Sequence, residues 1–174
     1  MRYGICHASG DIIVTLSADL ETDPQEMPKF IEPLLEGYDF VKGTRFSWNP
    51  FRPRLPKGKP LHRIFGNFII ALTFDLLFLK PFTDPCSGYN AFWKKSIERV
   101  SLFSEDGFED EPLMLTRVVK AGLRIKEVQH IDLGRLHGEN KSPSFRQGFK
   151  SVKTIVRERL FRHTTQGRTR DAVL

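Results

Sequence analysis

The spacing of apolar and polar residues along the chain predicts alternating strands and helices. DIIVTLSA at 11–18 is a short, β-branched apolar run, the pattern of a strand buried on both faces. DPQEMPKFIEPLLEG at 23–37 follows with helix signals: Asp23 as N-cap, Pro24 at the first helical position, Glu26 closing a capping box and Gly37 as a stop. YDFVKGTRF at 38–46 is a second short strand. Residues 11–46 therefore read as a β–α–β unit, which predicts a parallel sheet.

Beyond this unit, SWNPFRPRLPKGKP at 47–60 carries four prolines among basic residues and reads as a loop. A helix is expected over 61–79. The apolar run at 64–82 is long enough to consider as a membrane span, but it contains Asn67 and Asp75. An aspartate near the middle of a span costs roughly 2.5–3.5 kcal/mol, so the expectation is a non-spanning helix. TDPCSGYNAFWKK at 83–95 reads as a turn entering a strand, with a helix from about Ser96; residues 107–131 read as helix, Gly122 stop and strand. A last amphipathic helix puts Phe145, Phe149, Val152, Val156 and Leu160 on one stripe, with basic residues around it. No internal repeat is visible.

With 174 residues, 40% of them hydrophobic, the chain is of single-domain size and can bury a core. The net charge of +6 hides an asymmetry. Residues 1–40 hold two basic and eight acidic side chains, and 141–174 hold nine basic and two acidic. An acidic front and a basic tail imply two kinds of partner. Cys6 and Cys86 make no disulfide framework and no leader pattern is apparent, so a reducing, cytoplasmic setting is expected.

Ligands of open α/β sheets bind beyond the carboxyl ends of strands, where Asp19, Glu21 and Asp23 fall after the first strand. Hard oxygen ligands on a short loop suit Mg²⁺ or Mn²⁺; equally, Asp23 can be a helix cap and the other two solvated. Arg45 follows a strand end and can meet a phosphate or be a surface arginine. Asp84 sits in a turn made by Pro85 and Gly88. Glu109 and Glu111 fall at a helix start, where acids also favour the positive dipole end. GRLHGENKSPSFRQG gathers Arg135, His137, Lys141 and Arg146 around glycines, which suits phosphate oxygens or a solvated basic loop.

In order, ASGDIIVTLSADLETDPQEMPKFIEPLLEGYDFVKGTRF, TDPCSGYNAFW, GFEDEPLML, KAGLRIKEV and RLHGENK resemble family 2 glycosyltransferases. The likeness is greatest to the group of dolichyl-phosphate mannosyltransferases and polyprenyl-phosphate glucosyltransferases, and it runs from Gly10 to about Arg159. It implies an α/β fold of GT-A, Rossmann-like type, a mostly parallel sheet flanked by helices. The expected organisation is the C-terminal portion of such a domain at 1–141, the basic helix at 142–163 and a flexible tail at 164–174.

The resemblance also implies roles. Asp19 matches the last aspartate of the Asp-x-Asp motif that binds Mg²⁺ or Mn²⁺, with Glu21 beside it; Arg45 matches an arginine near the phosphates. Asp84, Ser87 and Gly88 match the D-x-x-S-G turn of the sugar-acceptor pocket, and Glu111 the acid of an F-x-x-E helix start. Arg135 and Lys141 match the basic loop facing donor and acceptor phosphates. The implied reaction moves a hexose from a GDP-mannose or UDP-glucose type donor to a polyprenyl or dolichyl phosphate or a similar acceptor. The helix over 61–79 beside the basic, proline-rich loop, with the basic last helix, suits peripheral contact with the cytoplasmic face of a membrane, or equally a core helix and a solvated terminal one. If the acceptor is a hydroxyl, Asp84 or Glu111 is the candidate base; a lipid phosphate needs none.

Two departures qualify this. Ser17 stands where the family usually has the first aspartate of its metal motif, and the family's earlier P-x-x-N-E strand precedes the segment that starts this chain. The expectation is therefore an N-terminally truncated domain whose other half lies in a longer or separate chain, with poor nucleotide binding alone. The competing function is a non-catalytic remnant or partner-binding fragment. Nucleic-acid binding is disfavoured, since the tail's aromatics fall on the apolar stripe.

Overall fold

The computed structural model describes residues 2–19, 21–47, 56, 59–98, 100, 110–134 and 144–160. Within them β1 (Ile12–Thr15), β2 (Phe40–Thr44), β3 (Asn90–Trp93) and β4 (Ile125–Gln129) form one sheet in the order β1-β3-β2-β4. Around it lie α1 (Arg2–His7), α2 (Met27–Leu35), α3 (Leu61–Phe78), α4 (Lys94–Glu98), α5 (Asp110–Lys120) and α6 (Ser144–Leu160).

β1 and β2 run the same way, as a β–α–β unit requires, yet they are not neighbours. β3 lies between them, antiparallel to both, with Phe92 opposite Ile13 on one side and Phe40 on the other. β2 and β4 pair in parallel, from Phe40 opposite Ile125 to Thr44 opposite Gln129. The sheet is thus mixed, where the sequence pattern predicts mostly parallel strands. Periodicity reports which side chains are buried. It does not report the direction of a four-residue run such as NAFW, which is set by the turn at 84–88.

The two sheet faces carry separate cores. Ile13, Phe40 and Phe92 meet Ile97, Met114 and Val118 on one face, with the Phe40 and Phe92 rings stacked 5.5 Å apart. Val41, Tyr89 and Ala91 meet Phe30 and Leu34 of α2 on the other. α5 is buried on two sides: Met114 and Val118 face the sheet, while Leu115 and Val119 pack with Ile70 and Phe74 of α3 and Ile155 of α6. β2 is buried at every position, Lys42 included.

α2 begins differently from the expected capping box. Asp23 Oδ1 accepts from the Gln25 N–H at 2.9 Å and caps a 3-10 turn, Pro24–Glu26, that precedes the helix. The buried Glu26 carboxylate turns away from the cap and accepts from the Ile131 N–H at 2.7 Å and from Lys29 Nζ. A tertiary donor beyond β4 has displaced the local one. Gly37 and Gly122 end α2 and α5 at φ 97° and 72°, the left-handed region that favours glycine.

α6 is rotated from its expected face. Its buried residues are Ser151, Thr154, Ile155 and Glu158, whereas Phe149 and Leu160, on the apolar stripe, are each 73% exposed. The rotation follows from charge: Glu158 receives Arg117 Nη2 at 3.1 Å and lies 3.7 Å from Lys120 Nζ, and Arg159 Nε donates to the Leu77 carbonyl. Phe149→Ser is accordingly expected to change stability by less than about 0.5 kcal/mol in urea titration, the range of exposed sites.

α3 has the length and composition to cross a membrane, with mean hydropathy 1.4. Asn67 and Asp75 are engaged within the domain. Asn67 Nδ2 donates to the Thr83 carbonyl, and Asp75 Oδ1 accepts from the Phe82 N–H at 2.9 Å. Its stripe of Asn67, Ile70, Ala71 and Phe74 is buried, and Phe65, Phe68, Ile69, Leu72 and Leu76 are exposed.

Candidate functional site

At one end of the sheet three segments, together with the residues after β4 and the start of α5, enclose a cleft of about 210 Å³. The first is the acidic loop after β1. Asp19 Oδ1 accepts from the Glu21 N–H at 3.2 Å, an Asx-type turn that folds the loop on itself. Thr22 then bridges Asp132, and the Leu133 N–H donates to the Glu21 carbonyl at 3.0 Å, so the loop is tied to the segment after β4.

The second segment is the end of β2 and the third is the turn at 84–88. Arg45 lays its guanidinium across Asp84, with Nε 2.6 Å from Oδ2 and Nη2 2.9 Å from Oδ1. Asp84 is fully buried. Burial alone raises its pKa, but the Arg45 charge and hydrogen bonds outweigh that and hold the carboxyl below its usual range. Glu127 Oε1 accepts from the Thr83 and Asp84 N–H groups, which fixes the start of the turn; burial raises its own pKa. Lys42, wholly buried, donates to the Ser87 carbonyl from behind, and burial lowers its pKa against the pull of Asp84 and Glu111. Ser87 Oγ lies 3.2 Å from His130 Nε2, on an imidazole whose pKa burial lowers.

Ser17, Asp19, Glu21, Arg45, Ser87, Gly88 and Glu111 all line the cleft, joined by Thr22, Cys86, Tyr89, His130 and Asp132. Glu111 closes over the turn: a Cβ on Gly88 would lie 3.5 Å from Glu111 Oε1. Asp84 sits beneath, fully buried and reaching the cleft through Arg45. Burial pushes the Cys86 thiol up to about 12, so it is neutral at pH 7 and no nucleophile. Arg135, His137 and Lys141, like Glu109, lie outside the described residues.

Sequence reasoning overlooked Lys42, His130 and Asp132. Asp132 had a signal, since it lies three residues past the end of β4 and thus obeys the strand-end rule that singles out Asp19. Lys42 had none: within FVKGT it reads as the solvent-facing residue of a strand.

The donors fit a hard divalent cation. They are carboxylates, and Asp132 Oδ2 is buried without a hydrogen-bond partner among the described residues. Among those residues no three carboxylate, histidine or cysteine groups converge enough to hold a metal by themselves. One or two carboxylates with water and phosphate completing the shell is the usual manner of Mg²⁺.

The profile of Glycosyl transferase family 2 matches residues 1–101. Glycosyltransferase AglJ of Haloferax volcanii is 34% identical over 118 residues, 68% of this chain and 37% of that protein. Dolichol-phosphate mannosyltransferase of Pyrococcus furiosus is 31% identical over 106 residues, 57% of this chain and 28% of that protein. The chain therefore spans well under half the length of either relative. Among solved structures, glucosyl-3-phosphoglycerate synthase of Mycobacterium tuberculosis with Mn²⁺, UDP-glucose and phosphoglyceric acid matches at TM-score 0.62 and 19% identity, over 92% of this chain and 54% of that one. The mixed sheet and its helices are thus those of a GT-A domain.

Proposed function

The chain belongs to glycosyl transferase family 2, and from that premise we propose that it forms part of a catalytic domain moving a hexose from a nucleotide-sugar donor of GDP-mannose or UDP-glucose type to a polyprenyl or dolichyl phosphate. The observation that carries this reading is the convergence of Asp19, Glu21, Arg45, Ser87, Gly88 and Glu111 on one cleft at the strand ends. Relatives named for dolichol-phosphate and undecaprenyl-phosphate transfer support the acceptor class.

Asp19 and Glu21 would hold Mg²⁺ or Mn²⁺, which neutralises charge on the departing diphosphate when bound. Arg45, kept protonated by Asp84, supplies a fixed positive group to the same phosphates. Asp84 has both oxygens engaged and a depressed pKa, so its part is to position Arg45. Glu111 faces the cleft beside Gly88 and orients the acceptor; with a phosphate nucleophile no proton has to be removed. Arg135 and Lys141 are assigned to donor and acceptor phosphates by the family motif they match, not by their placement. The exposed apolar side of α3 and the basic α6 favour contact with the cytoplasmic face of a membrane, where such an acceptor resides.

Ser17 favours a second reading. It lines the cleft where the family usually has a carboxylate and adds no charge, as in a remnant that has lost donor binding. Transfer of radiolabelled sugar to lipid phosphate by the full chain separates the two. Asp19→Ala is expected to lower transfer by about 10²-fold, the scale on which one electrostatic contact to a developing charge acts. Equal, non-zero rates for the two proteins would refute the role of Asp19, and no transfer by either would refute the enzyme reading and favour the remnant.

A further inference from the structure

Lys59 reaches into the acidic side of the cleft from the segment ahead of α3. Its Nζ lies 2.9 Å from Glu21 Oε2 and 3.8 Å from Asp132 Oδ2, with a side chain only 17% exposed. Asp132 is 2% exposed. Its Oδ1 accepts from the Gly134 N–H, while Oδ2, buried, has no hydrogen-bond partner among the described residues. One ammonium thus spans two carboxylates that belong to different loops, and the more deeply buried of them retains an oxygen that 3.8 Å does not satisfy.

We propose that Glu21 and Asp132 form a cation clamp, that Lys59 is its tethered resident cation, and that a divalent metal enters by displacing Lys59. This rests on the metal-assisted reading above and extends it to Asp132 and Lys59. The physical argument concerns charge and size. A lysine ammonium is a compact point charge whose hydrogen bonds need about 2.8–3.0 Å, so it serves Glu21 and leaves Asp132 short of a partner. A divalent ion held by one or two carboxylates keeps several of its waters, so it can serve both oxygens, directly or through a coordinated water. Displacement costs the Lys59–Glu21 contact, so Lys59 sets how much metal is needed to fill the clamp. The released ammonium lies beside the metal site and becomes available to the anionic ligand that follows.

The experiment is titration of the full chain with Mn²⁺ alone, with free ion counted by electron paramagnetic resonance. Lys59→Gln is expected to bind Mn²⁺ roughly tenfold more tightly than wild type, the scale of removing one competing unit charge near a partly buried site. Lys59→Arg is expected to stay near wild type. The gain of Lys59→Gln should disappear when Asp132→Asn is added. Far-ultraviolet circular dichroism establishes that each variant is folded. The inference is overturned if Lys59→Gln binds no better than wild type, if neither binds, or if the gain survives Asp132→Asn. Failure of the broader reading is distinct: Lys59→Gln would still tighten Mn²⁺ binding while sugar transfer stayed absent.

Discussion

Replacing Asp84 with asparagine is expected to destabilise the domain by about 3–5 kcal/mol, the loss that follows when one partner of a buried ion pair is removed. The side chain is fully buried, and two cations depend on it. Arg45 donates to both of its oxygens, and the wholly buried Lys42 gains from its charge. An amide of the same shape keeps part of the hydrogen bonding and loses the charge, leaving two buried cations with less compensation. In urea titration the midpoint should fall while the slope stays the same.

The pH dependence has a definite sign. The folded pKa of Asp84 lies below its unfolded value, so its contribution is complete above an unfolded pKa of about 3.9 and is lost as pH falls through the lower folded value. The gap between wild type and Asp84→Asn should therefore be constant from neutral pH to about 5 and narrow below about 4. A gap that is flat down to pH 2, or one that appears only in acid, would contradict the assignment.

Gly43→Ala is expected to cost about 3 kcal/mol or more, the upper end of overpacking. Gly43 lies in the central strand β2, and its N–H donates to the Tyr89 carbonyl at 2.8 Å. An added Cβ would stand 2.5 Å from that same carbonyl oxygen, 3.0 Å from a His130 ring carbon and 3.1 Å from Phe30. The first obstacle is backbone and cannot step aside without moving β2 away from the turn that carries Ser87. Gly66, within α3, has nothing within 4 Å of its Cβ position. Gly66→Ala should instead stabilise by about 0.5–1 kcal/mol through helix propensity, and thermal melts of the two variants make the comparison.

Much of the fold was legible because its signals are local. Pro24 and Gly37 bracket α2, Gly122 ends α5, and the apolar runs at 12–15, 40–44 and 125–129 are strands. What escaped depended on partners distant in sequence. The direction of β3 is decided by its turn and by neighbours 48 to 81 residues away. The rotation of α6 is decided by Glu158 against Arg117 and Lys120, which outweighs two exposed aromatic and aliphatic side chains. Glu26 left its capping box for an N–H 105 residues on.

The site divided the same way. Its acidic loop, arginine and turn were readable because each is a short motif next to a strand end. Lys42 was not, since a lysine in a five-residue strand carries no sign that both faces are covered. Nor could sequence separate Asp84 from Glu111. Both are carboxylates near the same pocket, and only geometry gives one to Arg45 and sets the other beside Gly88.

The lacing of the acidic loop has a thermodynamic consequence. Thr22 against Asp132, the Glu21 carbonyl under Leu133 and Glu26 on Ile131 fasten a segment of about six residues to the strand end opposite it. A free loop of that length would surrender about 1–2 kcal/mol of backbone entropy per residue when a ligand orders it. Here folding has already met that cost, so binding at the loop spends little on order and the site is preorganised. Affinity there is governed by electrostatic competition, and amide exchange at Ile131 and Leu133, whose N–H groups donate to the loop, should be slow before any ligand is added.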